Sequence, residues 1–298
     1  MSQAENLVGL LNSKQIVKVC GAFDSMSAKL VETYGFDAVW AGSFGISATH
    51  AVPDASILTM TEFFNAASHM AETCKIPIIA DCDTGYGGPS NVSHMVKKYE
   101  SAGIAAVCIE DKMFPKQNSL LENGQNRLIP EKEFVAKIIA GKDAKQNKNF
   151  MIIARVEALI SGASMDEALK RATAYEKAGA DAILIHSKKK TPDEILKFAD
   201  LWNGNVPLVV IPTTYDSVKI DELISHKIKM VIHANQTLRA AHASISRMLD
   251  QMIHSSSLSE IKEEISSMED IFNLQEMYDI KTKEKELEEE LKKLGYIN

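Results

Sequence analysis

Short apolar, β-branched runs punctuate this chain, each followed by a polar turn and then a helical pattern. They are IVKVCGAF (16–23), DAVWAGSF (37–44), PIIADCD (77–83), AAVCIED (105–111), MIIARVE (151–157), AILIHS (182–187), PLVVIP (207–212) and MVIHAN (230–235). Strands that read as near-continuous apolar runs belong to parallel sheets covered on both faces. The amphipathic segments between them, such as 61–74, 90–103 and 164–180, supply the covering helices. Ser164 stands three residues before Glu167 in capping-box spacing, and Gly179 is placed to end that helix. Eight strand–helix repeats predict an α/β fold, a closed (β/α)8 TIM-type barrel, which leaves no sheet edge. A doubly wound open sheet uses the same alternation. However, no GxGxxG follows the first strand, and GxxxxGK[ST] is absent.

The 298 residues exceed the roughly 250 of a typical barrel. One domain is expected over 1–298, with the barrel at about 16–255 and a C-terminal helical extension at about 257–298. The extension carries an apolar stripe of Ile261, Ile265, Met268, Ile271 and Phe272, which needs a surface on its own barrel or on a neighbouring subunit. Its last run, from 281, is dense in Glu and Lys at helical spacing and reads as a solvated helix. The net charge of −7 argues against a nucleic-acid partner. No window reaches the roughly 18 apolar residues of a membrane span, and the N-terminal segment has no secretory pattern. Cys20, Cys74, Cys82 and Cys108 show no CxxC spacing, which fits free buried thiols in a reducing cytoplasm.

In parallel α/β folds the chemistry gathers at the carboxyl ends of the strands. The third strand ends ADCD, so Asp81 and Asp83 point to one side. The fourth ends in Glu110 and Asp111, one of which joins them. Such a carboxylate group, without His or Cys, suits a hard divalent cation, with Mg2+ the best fit. Across from it stand Arg155 on the fifth strand and His186 on the sixth. Arg155 has Glu157 as an available ion-pair partner, yet its fork also matches carboxylate or phosphate. His233 and Asn235 share a face at the eighth strand end, at the mouth of the barrel.

The stretches ADCDTGYGG, IEDKMFPKQNSL, ARVEALISG and AGADAILIHSKK, in this order and spacing, resemble the phosphoenolpyruvate mutase branch of the isocitrate lyase superfamily. The likeness runs from about residue 16 to 275. It implies Asp81 as direct magnesium ligand, with Asp83 and Glu110 holding the ion mainly through water. It implies that Trp40, Gly42 and Ser43 bind the pyruvyl end, and that Asp54 is a required aspartate on a mobile segment. Lys116, Asn118, Ser119 and Leu120 match a gating loop, and Arg155 and His186 the phosphoryl-holding groups. The family commonly has Ser-Gly after the tryptophan, whereas here the order is Gly42-Ser43.

The resemblance further implies a small-molecule substrate, phosphoenolpyruvate or phosphonopyruvate, a homotetramer of helix-swapped dimers, and coupling to a phosphonopyruvate decarboxylase. Mutases of this branch carry Asn where hydrolases carry Thr, and this chain has Asn118. Phosphonopyruvate hydrolase is the alternative activity, followed by another 2-oxo acid C–C/P–C lyase of the same superfamily. The lyases place a Lys-x-Cys-Gly-His-type segment where this chain reads KMFPKQNSL, so their acid is missing.

Overall fold

The computed structural model describes residues 1–261 and 265–297. Eight strands, β1 (Val17–Ala22), β2 (Ala38–Ala41), β3 (Ile78–Asp81), β4 (Ala106–Glu110), β5 (Met151–Val156), β6 (Ala182–Ile185), β7 (Leu208–Val210) and β8 (Ile228–His233), close into one barrel in chain order. Every neighbouring pair is parallel, and β8 returns to β1 with Val17 opposite Met230 and Cys20 opposite His233. The helices are α1 (Gln3–Ser13), α2 (Ser25–Thr33), α3 (Ser43–Thr49), α4 (Met60–Thr73), α5 (Pro89–Ser101), α6 (Glu131–Ala144) and α7 (Ala158–Ser161). They continue with α8 (Met165–Ala178), α9 (Asp193–Leu201), α10 (Ile220–Ser225), α11 (Gln236–His254), α12 (Met268–Leu274) and α13 (Met277–Lys293). None of the described helices is long and apolar enough to cross a membrane.

Alternation along the strands sorts the core into two layers. Ile152, Ala154 and Val156 of β5 face outward to the helices, while Met151 and Ile153 belong to an inner column. Trp40, Ile79, Cys108, Leu184, Val209 and Ile232 join that column from the other strands. Side chains repeat every second residue on one face of a strand. The next inward positions after Ile79, Cys108, Ile153 and Leu184 are therefore Asp81, Glu110, Arg155 and His186. Polar residues stack on an apolar plug at one end of the barrel. Helix α1, which the apolar runs did not foretell, adds Leu7 and Leu11 to the same column, and a reciprocal Ser2–Glu5 capping box starts it.

Two local details depart from the sequence pattern. The second predicted strand ends at Ala41, because Gly42 is the N-cap of α3 and Ser43 its first residue. At the start of α8, Ser164 accepts from the Glu167 amide at 3.2 Å as expected. The Glu167 carboxylate, however, accepts from Arg171 Nε at 2.8 Å instead of returning to the cap. Gly179 takes the left-handed conformation that ends this helix, at φ +103°.

The described chain divides into two compact units, Met1–Arg239 and Ala240–Asn298, with α11 running across the boundary. The first contains the whole barrel. In the second, the segment predicted as helix over 257–280 holds a short 3-10 turn at Leu258–Glu260 and then α12, with 262–264 outside the described residues. Of the apolar stripe, Ile261 is buried, whereas Ile265 and Met268 are exposed on the single chain.

Candidate active site

A cavity of about 640 Å3 opens over the polar end of the inner column. Its lining includes Trp40, Gly42, Ser43, Asp54, Asp81, Lys116, Asn118, Ser119, Leu120, Arg155 and His186, which are eleven of the thirteen residues that the family resemblance implied. Asp83 and Glu110 are not on that lining. They are buried, Asp83 within 2.9 Å of the Lys116 ammonium and Glu110 within 3.4 Å of Arg155 Nε. Asn235 lines the mouth, but His233 packs edge-on against Phe36. Thr213 and Arg239 also line the cavity and carry no motif that would have marked them.

Residues 116–121, carried by the loop 112–128, line one side of the cavity. Lys112 and Leu128 form an antiparallel bridge at the base of the loop, with the Met113 amide donating to Arg127 O at 2.8 Å. From there Lys116 reaches inward, its Nζ 2.8 Å from Asp54 Oδ1, 2.9 Å from Asp83 Oδ1 and 3.3 Å from Ser43 Oγ. Burial works against the Lys116 charge, but Asp83, Glu110, Asp54 and Asp81 outweigh it and hold its pKa well above the ordinary lysine value. Asn118 donates to Asp54 Oδ2 at 2.7 Å, while its own Oδ1 accepts from the Leu120 amide at 3.0 Å. It is both a turn residue and a cavity residue. Burial raises the Asp54 pKa, but Lys116 and Asn118 more than reverse this and leave it lowered.

Beneath the segment lies a square of alternating charge. Arg155 Nε is 2.5 Å from Glu157 Oε1 and 3.4 Å from Glu110 Oε2. Lys112 Nζ is 3.4 Å from Glu110 Oε1 and 3.5 Å from Glu157 Oε2. Against burial, Arg155, His186 and Lys112 pull the Glu157 pKa well below the usual carboxylate value. His186 Nδ1 lies 2.9 Å from both Glu157 Oε1 and Arg155 Nη2. Burial and the neighbouring Arg155 lower its pKa against the opposing pull of Glu157. The sequence offered Glu157 as a partner for Arg155. Lys112 it left in the loop, although its place two residues after Glu110 was a readable signal.

Ser43 donates its hydroxyl to Asp81 Oδ2 at 2.8 Å. A Cβ on Gly42 would stand 2.9 Å from the Trp40 indole, so the glycine is needed where it is. As the first residue of α3, Ser43 thus sets its hydroxyl on a carboxylate at the end of β3.

Among the described residues, no three His, Cys, Asp or Glu side chains converge tightly enough to ligate one ion directly. The donor set nevertheless fits a hard cation. Both Glu110 oxygens are buried without a hydrogen-bond partner, and the carboxylates Asp81, Asp83 and Glu110 offer oxygen ligands. Burial, together with Asp81, Asp54 and Glu110, lifts the Asp83 pKa to about 6 despite the opposing pull of Lys116. The carboxylates are crowded, and the Lys116 ammonium supplies positive charge among them.

A cavity lined by acids and bases at the carboxyl ends of the strands lies where (β/α)8 enzymes place their active sites. The phosphoenolpyruvate phosphomutase family model matches residues 7–253, and the chain belongs to that family, within the PEP mutase/isocitrate lyase superfamily. It is 41% identical over 276 residues to phosphonopyruvate hydrolase of Variovorax sp. (strain Pal2), covering 92% of this chain and 95% of that one. The crystal structure of phosphoenolpyruvate phosphomutase from Streptomyces platensis subsp. rosaceus superposes with a TM-score of 0.93 at 44% identity, covering 95% and 98% of the two chains. A phosphonopyruvate hydrolase complexed with oxalate and Mg2+ superposes with a TM-score of 0.89 at 39% identity, with the same coverage.

Proposed function

We propose that this enzyme is a magnesium-dependent phosphoenolpyruvate mutase, an isomerase that interconverts phosphoenolpyruvate and phosphonopyruvate for phosphonate biosynthesis. The observation that carries this reading is Asn118, held over the cavity by its bond to Asp54, where hydrolases of this branch carry Thr. In this reading Asp81, Asp83 and Glu110 would hold Mg2+. When bound there, the ion would supply Lewis-acid polarisation at the pyruvyl end.

The chain's own residues do the rest. Trp40, Gly42 and Ser43 form the wall for the pyruvyl end. Arg155 and His186 grip the phosphoryl group through the loose state that phosphoryl transfer commonly crosses. The P–O bond to the enol oxygen breaks, the C2 carbonyl forms, and the released C2–C3 pair makes the new P–C bond. Lys116, Ser119 and Leu120 close the lid, and Asn118 holds the group away from water, which would otherwise accept it. Asp54 positions Lys116 and Asn118. A cytoplasmic homotetramer of helix-swapped dimers, drained by a phosphonopyruvate decarboxylase, completes the proposal.

Phosphonopyruvate hydrolase is the second reading, favoured by the 41% identity to such an enzyme. Phosphorus NMR of the protein with phosphonopyruvate and Mg2+ separates the two. Phosphoenolpyruvate is the expected product; orthophosphate with pyruvate would move the assignment to the hydrolase. Asn118→Ala is expected to lose about a hundredfold in kcat with KM little changed. Unaltered turnover would take Asn118 out of the mechanism.

A further inference from the structure

Lys112 is only 1% exposed, yet it is neither a core residue nor on the cavity lining. Its ammonium donates to Gln117 O at 2.8 Å and to Ser119 Oγ at 2.7 Å on the outgoing arm of the lid. On the returning arm it reaches Asn126 Oδ1 at 3.4 Å. The same atom faces Glu110 and Glu157, so one charge ties both arms of the lid to the barrel. Ser119 completes the junction: its hydroxyl accepts from Lys112 and, at 3.0 Å, from Arg155 Nη2, while donating to Glu157 Oε2 at 2.7 Å.

The geometry points to Lys112 as a positioning residue that latches the lid through Ser119. A hydroxyl can accept two donors and donate once, and all three roles are filled only when Lys112, Arg155 and Glu157 are in register. The latch therefore shuts fully over a site whose phosphoryl-gripping arginine is already aimed. An ammonium suits this junction because it offers rotatable donors in several directions, which the planar fork of an arginine does not. The carboxylates of Glu110 and Glu157 keep the charge compensated whichever way the lid stands. The inference rests on reading 112–128 as the lid of the proposed mutase site, but its primary readout needs no substrate.

Hydrogen exchange on the intact protein without substrate tests it. In Lys112→Met, amides across 113–121 are expected to exchange about tenfold faster, since hydrogen bonds to a charged group are lost. Amides of β5 should keep their wild-type protection. Equal acceleration in β5 would mean that Lys112 supports the barrel generally, and would overturn the proposal. Ser119→Ala should speed the same lid amides, and the double variant should be no faster than the faster single one, because the two act as one latch. Additive effects would overturn it as well. In turnover, a latch defect raises KM for phosphonopyruvate more than it lowers kcat. Should the protein turn over neither phosphonopyruvate nor phosphoenolpyruvate, the mutase reading fails while the exchange result still decides the latch.

Discussion

At the scale of single residues, the pairs two apart at strand ends carry most of the site. Asp81/Asp83 and Arg155/Glu157 were legible from their spacing. Strand β3 nevertheless ends at Asp81 and β5 at Val156, so the second member of each pair lies just past its strand, Asp83 in the left-handed conformation at φ +50°. The pair Glu110/Lys112 obeys the same rule, and Glu110 stands opposite Arg155 in the sheet register, which sets Lys112 beside Glu157. Local composition hid it, since a lysine followed by Met-Phe-Pro-Lys reads as loop. Within the square, Glu157 is fully buried and faces three bases. Glu157→Gln leaves Arg155 and Lys112 with too little compensation and is expected to cost about 3 kcal/mol of stability in urea unfolding. The sign with pH follows from the depressed folded pKa. The wild-type advantage is full above the ordinary glutamate value of 4.5 and is lost as pH falls through the lower folded value. Equal urea midpoints at neutral pH would show that the square contributes no net stability.

At the scale of elements, closure of the barrel depends on one seam that no sequence pattern reveals. Beyond the β1–β8 ladder, a Cβ on Gly21 would stand 2.0 Å from Ala234 O, while Thr237 Oγ1 donates to Gly21 O at 2.6 Å. Glycine is required here by close backbone approach rather than by its dihedral angles. Local signals are silent on this because the contact joins residues at the two ends of the barrel sequence. Caps and strand periods, by contrast, are local, so Gly179 and Ser164 were readable. The second strand overran by three residues because Gly42 and Ser43 start a helix inside an apolar run. Gly21→Ala is expected to cost about 3 kcal/mol by overpacking, seen as a lower thermal midpoint with the strand content kept. A wild-type midpoint would mean that the β8–α11 junction moves aside freely.

At the scale of the whole molecule, the count of eight buried runs decided the architecture, because a parallel sheet covered by helices and left without edges closes on itself. What a single chain's pattern does not disclose is where its surplus apolar surface goes. On α11, Ile245, Leu249, Met252 and Ile253 fall at helical spacing on one face and are 45–79% exposed. Contiguous exposed apolar faces of this kind mark interaction surfaces. With Ile265 and Met268 also exposed in the same unit, the proposed subunit assembly would cover this surface. Light scattering on the purified protein is therefore expected to give the mass of four chains. Leu249→Asp should shift it toward smaller species, because desolvating an unpaired carboxylate in an apolar contact is costly. The far-ultraviolet spectrum should be unchanged, since Leu249 is already on the surface of its own chain. A stable one-chain mass at micromolar concentration would leave this face to some other use and end the case for a tetramer.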